Sequence, residues 1–243
     1  TKANPWFNND FTSGKLGQLS KDNLEYQLKT SLKNLKVDRV EFFYLHCPDY
    51  ETPIKETLEK CDELWRKEKF NYLGISNFSK MQMKEVLDIC EANAYNSPLY
   101  YQGMYNLISR KVEEIFPLLD DSSIEFWGYN PLAGGLLTGK YTNLATDSRF
   151  KNNKIYQNNI WKDEIINCDF FKLENCTEYA YKWLHQYSKM AETDKIIIGA
   201  STNEQLEHNL HIFNKKVEYD ETIIKYLNKI YFKIEHVSPN YYY

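Results

Sequence analysis

With 243 residues, 30 Lys and Arg against 34 Asp and Glu, and a net charge of −4, the chain can bury one large core and has no basic excess to suit nucleic acid. It has no polybasic patch, signal-peptide pattern or apolar run of transmembrane length, so no membrane partner is expected. Its five cysteines (Cys47, Cys61, Cys90, Cys168, Cys176) form no CxxC pair, which argues against a metal site or disulfide framework and predicts reduced thiols in a cytoplasmic protein.

The spacing of Leu24, Leu28, Leu32 and Leu35 predicts a first helix from about Ser20, a candidate N-cap. Val40–His46 (VEFFYLH) reads as a strand. Thr52-Pro53 then predicts a cap and first turn for a helix burying Ile54, Leu58, Cys61 and Trp65. Tyr72–Ser76 is the second strand, and Ser79 caps a helix with Met83, Val86, Leu87 and Cys90 inward. Leu99–Met104 is the third, followed by a helix carrying Val112, Ile115, Phe116 and Leu119. Ile124–Tyr129 is the fourth, and it runs directly into NPLAGGLLTGK. Between Lys140 and Glu174 lies a polar, Asn-rich insertion without a clear period. Lys195–Gly199 is the fifth strand, and Thr202 to Gln205 predicts a capping box ahead of Leu206, Leu210 and Phe213. A last helix spans about Glu221 to Lys233.

The first four of these strands begin about 25 to 32 positions apart, the βαβ period of a parallel sheet. The expected fold is α/β and a single domain over residues 1–243. Each apolar strand ends on polar residues it does not need for packing: His46 with Asp49, Ser76-Asn77, Gln102, Asn130 and Ser201-Thr202. In parallel α/β folds such endings share one face, where sites are built. Taken singly, His46 reads first as a core histidine, and Lys2 as a solvated terminal lysine. Gly134, Gly135 and Gly139 allow close backbone approach to a phosphate, with Lys140 supplying charge. The same stretch has the GxxxxGK spacing of a nucleotide P-loop, but Tyr141 stands where that motif needs a hydroxyl for magnesium.

The segments TKANPWF, SLKNLKVDRVEFFYLHCPD, TPIKETL, LGISNF, YQGMYN, NPLAGGLLTGKY and SPNYYY together resemble the aldo-keto reductases, in particular the aflatoxin-aldehyde and succinic-semialdehyde reductase family. The resemblance covers nearly the whole chain. It implies a (β/α)8 TIM-type barrel, present here as about five βα units plus C-terminal helices, and NADPH as cofactor. It also implies a small-molecule aldehyde or ketone substrate and a homodimer. In that reading His46 orients the carbonyl and Lys2 acidifies a catalytic tyrosine. Ser76, Asn77 and Gln102 bind the nicotinamide carboxamide, and Tyr129 stacks on its ring. Asn130, Pro131, Leu132, Gly134, Gly135, Leu136, Gly139 and Lys140 wrap the pyrophosphate. Ser201, Gln205 and Asn209 hold the adenosine end, and Arg149 is another cofactor contact.

The chain also departs from the family pattern. The resemblance places the catalytic Tyr and its Asp partner upstream of Lys2, within roughly 70 to 90 residues that would carry three earlier βα units. The 243 residues alone are therefore expected to be inactive, with a cofactor-binding regulatory subunit of the same fold as the alternative. Gln157 and Asn159 stand where the family tends to have arginine, and Tyr243 stands where reductases of this group have an arginine for substrate carboxylates.

Overall fold

The computed structural model describes residues 1–10, 13–139, 162–215 and 221–242. Its six strands are neighbours in chain order: β1 (Lys2–Ala3), β2 (Val40–Leu45), β3 (Phe70–Ser76), β4 (Tyr100–Met104), β5 (Glu125–Tyr129) and β6 (Lys195–Ile196). The helices that follow them are α1 (Lys21–Leu35), α2 (Ile54–Arg66), α3 (Lys80–Asn93), α4 (Phe116–Asp121), α5 (Asp163–Ile166), α6 (Cys176–Lys182), α7 (Asn203–Asn214) and α8 (Glu221–Ile234). The chain forms two compact units, one of Thr1–Gly103, Ile115–Phe126 and Tyr242–Tyr243, the other of Met104–Glu114 and Trp127–Tyr241.

In the first unit β1, β2, β3 and β4 form a parallel ladder, with Lys2 opposite Tyr44, Phe42 opposite Tyr72, Tyr44 opposite Gly74 and Ser76 opposite Gln102. β5 starts alongside β4, where Glu125 N–H donates to Leu99 C=O at 3.0 Å. Side chains alternate across a strand, so one face carries Phe43, Leu45, Leu73 and Ile75, all fully buried. The opposite face carries an aromatic cluster in which Phe42, Tyr72 and Tyr100 lie 5.0–5.7 Å apart between ring centroids. Tyr44 shares that face and lies over Gly74, where any Cβ would overlap its ring.

The helices follow the spacing of their apolar residues. α1 buries Leu24, Leu28 and Leu32, and α3 buries Met83, Val86 and Cys90. Ser79 and Gln82 make a complete reciprocal capping box at the start of α3. At α2 the cap shifts by one residue, with Pro53 at the N-cap, while the Thr52 hydroxyl donates to Asp49 instead. Trp65, expected to be buried, is 39% exposed and its indole N–H donates to Asn71 C=O at 3.2 Å. The edge of β2, which the sequence pattern leaves open, is paired by β1.

In the second unit the end of β5 pairs with β6 through Trp127–Lys195 and Gly128–Ile196. β6 is two residues long rather than the five expected. α6 continues into a π-helical turn, Trp183–Tyr187, which the sequence pattern did not reveal. Leu206 and Leu210 of α7 face solvent, and Asn209 is its buried residue. The segment after β4 is fastened to the C-terminal helix by Arg110. Its guanidinium lies between the rings of Trp183 (3.9 Å) and Tyr231 (4.5 Å) and donates to Leu107 C=O and Asn228 Oδ1, both at 2.7 Å. Among the described residues no helix is long and apolar enough to cross a membrane, and no cluster of His, Cys, Asp or Glu could hold a metal.

Candidate active site

The two-residue strand β1 positions the first candidate side chain. Tyr44 N–H donates to Thr1 C=O at 3.0 Å and His46 N–H to Ala3 C=O at 2.9 Å, which fixes Lys2 beside β2. Parallel pairing then puts Lys2, His46, Ser76, Asn77 and Gln102 at the carboxyl ends of four adjacent strands within one unit. Lys2 is not a solvated terminal lysine. Its ammonium donates to Gln102 Oε1 and lies 5.5 Å from the Tyr44 ring centroid. Asn77, at φ 62°, donates through Nδ2 to His46 C=O at 2.9 Å and to Ser76 Oγ at 3.1 Å. Asparagine tolerates this left-handed backbone, so β3 ends abruptly and turns a side-chain amide back toward β2.

The electrostatics follow from burial. Withdrawal from water lowers Lys2 to about 8, with the nearby Cys47 thiol opposing the shift. Burial, helped by the Lys2 charge, lowers His46 to about 4, so its imidazole is neutral near pH 7. Burial also raises Cys47 to about 12 against a 3.5 Å contact from Asn77 Nδ2, so this thiol is inert at neutral pH. A depressed lysine beside a neutral histidine, ringed by buried amide and hydroxyl groups, suits proton management at an oxygen atom.

Asp49, a candidate by position, belongs to the scaffold. Its carboxylate accepts from Gly17 N–H (2.8 Å), Leu19 N–H (2.9 Å) and the Thr52 hydroxyl (2.9 Å), closing the loop before α1.

In the second unit Tyr129 ends β5, and its carbonyl accepts from Tyr105 N–H at 3.1 Å. Asn130, at φ 63°, organises the loop that follows. Its carbonyl accepts from Asn106 Nδ2 (3.0 Å) and its side-chain oxygen from Gly134 N–H. Gly134, Gly135 and Gly139 take φ of 68°, 103° and 72°, values that a side chain would strain. Gly135 and Leu137 N–H both donate to Leu132 C=O, and Gly139 N–H donates to Leu136 C=O. Much of the loop's N–H complement is thus directed inward, and Pro131, Leu132 and Leu136 are buried core residues. On α7, Thr202 Oγ1 accepts from Gln205 N–H at 3.2 Å, while Gln205 Oε1 accepts from Ser201 N–H at 3.0 Å. The expected capping box is therefore half formed. Lys140, Arg149, Gln157, Asn159 and Tyr243 lie outside the described residues.

Asn4 and Trp6 are part of this site, although strand-end logic passed over them. Asn4 Oδ1 contacts His46 Nδ1, and the Trp6 ring meets the imidazole edge-on at 5.2 Å. Their sequence signal was present in TKANPWF, the first segment of the resemblance.

The profile of the "Aldo/keto reductase family" matches residues 2–231. The chain belongs to the aldo/keto reductase family. That family of oxidoreductases is built on the (β/α)8 barrel, to which this parallel α/β arrangement of strands and helices conforms. Among its relatives, "Aflatoxin B1 aldehyde reductase member 2" of Mus musculus is 37% identical, covering all of this chain and 70% of that protein. "Aldo-keto reductase family 7 member A3" of Homo sapiens is 36% identical, over all of this chain and 77% of the relative. "Oxidoreductase sirO" of Leptosphaeria maculans is 29% identical, over 88% of this chain and 69% of its own length.

Proposed function

We propose that these 243 residues carry the cofactor-binding and carbonyl-orienting groups of an NADPH-dependent reductase of aldehydes and ketones. The observation that carries this reading is the gathering of Lys2, His46, Ser76, Asn77 and Gln102 at one end of the β1–β4 ladder, with Lys2 bonded to Gln102 and held near pKa 8. Ser76, Asn77 and Gln102 are all less than a tenth exposed, and they offer the donors and acceptors that a planar carboxamide requires. The nicotinamide end of NADPH fits this set, and when bound it supplies the hydride. Tyr129, the loop from Asn130 to Lys140, Arg149, Ser201, Gln205 and Asn209 are proposed to serve the rest of the cofactor, as the resemblance implies. Leu132 and Leu136 can contribute only through their backbone, because their side chains are buried.

His46 is proposed to hydrogen-bond the reacting oxygen. Lys2 has three N–H donors, of which one goes to Gln102, so others can face an acidic phenol or the oxygen itself. The resemblance assigns proton donation to a tyrosine that corresponds to none of these 243 residues. General acid catalysis is worth about 10²–10⁴ in rate, so turnover by these residues alone is proposed to be negligible. A cytoplasmic setting, in keeping with unpaired cysteines, and a homodimer belong to the same reading.

Steady-state NADPH oxidation with an aromatic and a short aliphatic aldehyde tests it. Negligible turnover is expected from the 243 residues. Recovery is expected when the family's Tyr- and Asp-bearing strands precede Lys2, and renewed loss when His46→Ala is added. Robust turnover by the 243 residues, or none after the fusion, would overturn the proposal.

A further inference from the structure

At the amino ends of β2 and β3, opposite the candidate active site, α1 and α2 finish in the same way. Lys36 after α1 (φ 57°) and Glu68 after α2 (φ 56°) take left-handed backbone. Val37 N–H then donates to Leu32 C=O at 3.2 Å and Lys69 N–H to Leu64 C=O at 3.0 Å, so each chain folds back across its own helix. Lys69 C=O accepts from Val40 N–H at 3.2 Å, which ties the two turns together. Between them lies a cavity of about 310 Å³, floored by the buried Leu28, Leu32 and Leu64 and walled by Val37, which is 44% exposed.

The rim of this cavity is charged. Lys29 and Lys67 are already committed, to Glu25 at 2.7 Å and to Glu63. Lys33, Asp38 and Lys69 line the same cavity and make no ion pair among the described residues. Lys33 stands in the last turn of α1, where a cation offsets the helix's terminal carbonyls, but Lys69 belongs to neither helix. Two ammonium groups thus share the rim with one carboxylate above an apolar floor. We propose that this groove binds a small amphipathic monoanion, an alkyl carboxylate of medium chain length, with its tail on the leucines and Val37 and its head between Lys33 and Lys69. One negative charge balances the rim, and the tail covers carbon surface that an inorganic anion would leave wet. The volume stands at the lower end of the range for small-molecule sites, about 300–1,000 Å³, which suits such a ligand and is too small for a dinucleotide. β2 is six residues long, so roughly 20 Å separates the groove from the strand carboxyl ends. A ligand here is therefore not a substrate, and its binding does not depend on the reductase reading.

Backbone amide shifts of the ¹⁵N-labelled 243-residue chain, titrated with decanoate, read binding at this face without catalysis. Saturable shifts are expected at Leu32–Val37 and Leu64–Lys69. Acetate, which lacks the tail, and decyltrimethylammonium, which reverses the charge, should produce little response there. Lys33→Gln/Lys69→Gln should weaken decanoate binding about tenfold, and added salt should weaken it in the unaltered chain, since both diminish the attraction of exposed charges. Val37→Asp should abolish binding by placing a second carboxylate on the apolar wall. Urea denaturation midpoints matching that of the unaltered chain show that the variants fold. No decanoate shifts at these residues, equal shifts with acetate or decyltrimethylammonium, or unchanged decanoate affinity in the double variant would overturn the proposal.

Discussion

The Lys2 ammonium donates to the side-chain oxygen of Gln102, one hundred residues further along, and so joins the ends of β1 and β4 across two intervening strands. Its partner is a neutral amide. Lys60 makes the contrast clear: it is only 7% exposed, and it contacts Glu25 at 2.6 Å and Glu63 at 2.8 Å, which raise its pKa. One buried lysine is neutralised by carboxylates and belongs to the scaffold. The other keeps an uncompensated charge at the mouth of the strands, as a site needs and a scaffold avoids.

That uncompensated charge makes stability depend on pH. With Lys2 lowered from 10.5 to about 8, the unfolded chain binds more protons than the folded one between those values. Stability from this group therefore rises as pH climbs from 8 to 10.5, by a few kcal/mol at most. Urea denaturation midpoints of the unaltered chain and Lys2→Met should converge or cross over this window, with Lys2→Met the more stable at pH 7.5. A constant difference between them would contradict the assignment.

For His46 the window lies on the acid side. Its folded value is about 4 against an ordinary 6.5, so the unfolded chain takes up a proton first as pH falls. The contribution of neutral His46 to stability is present above pH 6.5 and is lost progressively toward pH 4. Titration of its ring carbon proton by NMR should show no midpoint above pH 5. A midpoint near 6.5 would show the ring to be solvated.

Gly74 is required by its neighbour rather than by its own backbone. A Cβ there would land on the Tyr44 ring, which is 4% exposed and has nowhere to retreat. Gly74→Ala should destabilise the chain by about 1–3 kcal/mol, as overpacking of a filled core does. The double variant Tyr44→Leu/Gly74→Ala should recover part of that loss. An unaltered denaturation midpoint for Gly74→Ala would refute the contact.

Arg110 stabilises the C-terminal helix through shape as well as charge. Lysine keeps the charge but loses the two planar stacks and both 2.7 Å bonds. Arg110→Lys should cost on the order of 2 kcal/mol, measured by chemical denaturation. A cost below a few tenths would mean that charge alone sufficed.

Strands β2 to β5 were legible to within two residues because each is an apolar run bounded by turn residues, and α3 announced its start through Ser79 and Gln82. β1 left only a positional signal, Lys2 standing where a strand would end ahead of the first helix, since a two-residue strand has no periodicity. α6 with its π turn escaped because Lys182 and Tyr181 are buried among apolar neighbours, which breaks the helical stripe. The exposure of Trp65, Leu206 and Leu210 shows tertiary packing overriding a correct helical period. At the site, His46, Asn77 and Gln102 stood out as polar ends of apolar strands. The Asn4–His46 and Gly74–Tyr44 relationships span 42 and 30 residues and depend on register that no local pattern encodes. Asp49 had the right position and a different use, because a carboxylate near backbone N–H groups closes a loop as readily as it serves chemistry.

Titration of the 243-residue chain with NADPH, followed by the fluorescence of its five tryptophans, tests the reductase reading most directly. Saturable quenching by NADPH, none by MgATP, and at least tenfold weaker NADPH binding in Gln102→Leu or Asn77→Leu are the predicted results, since each removes hydrogen bonds from a buried amide. No response to NADPH, or an equal response in the Gln102 and Asn77 variants, would contradict the assignment of the β1–β4 carboxyl ends as the cofactor's nicotinamide site.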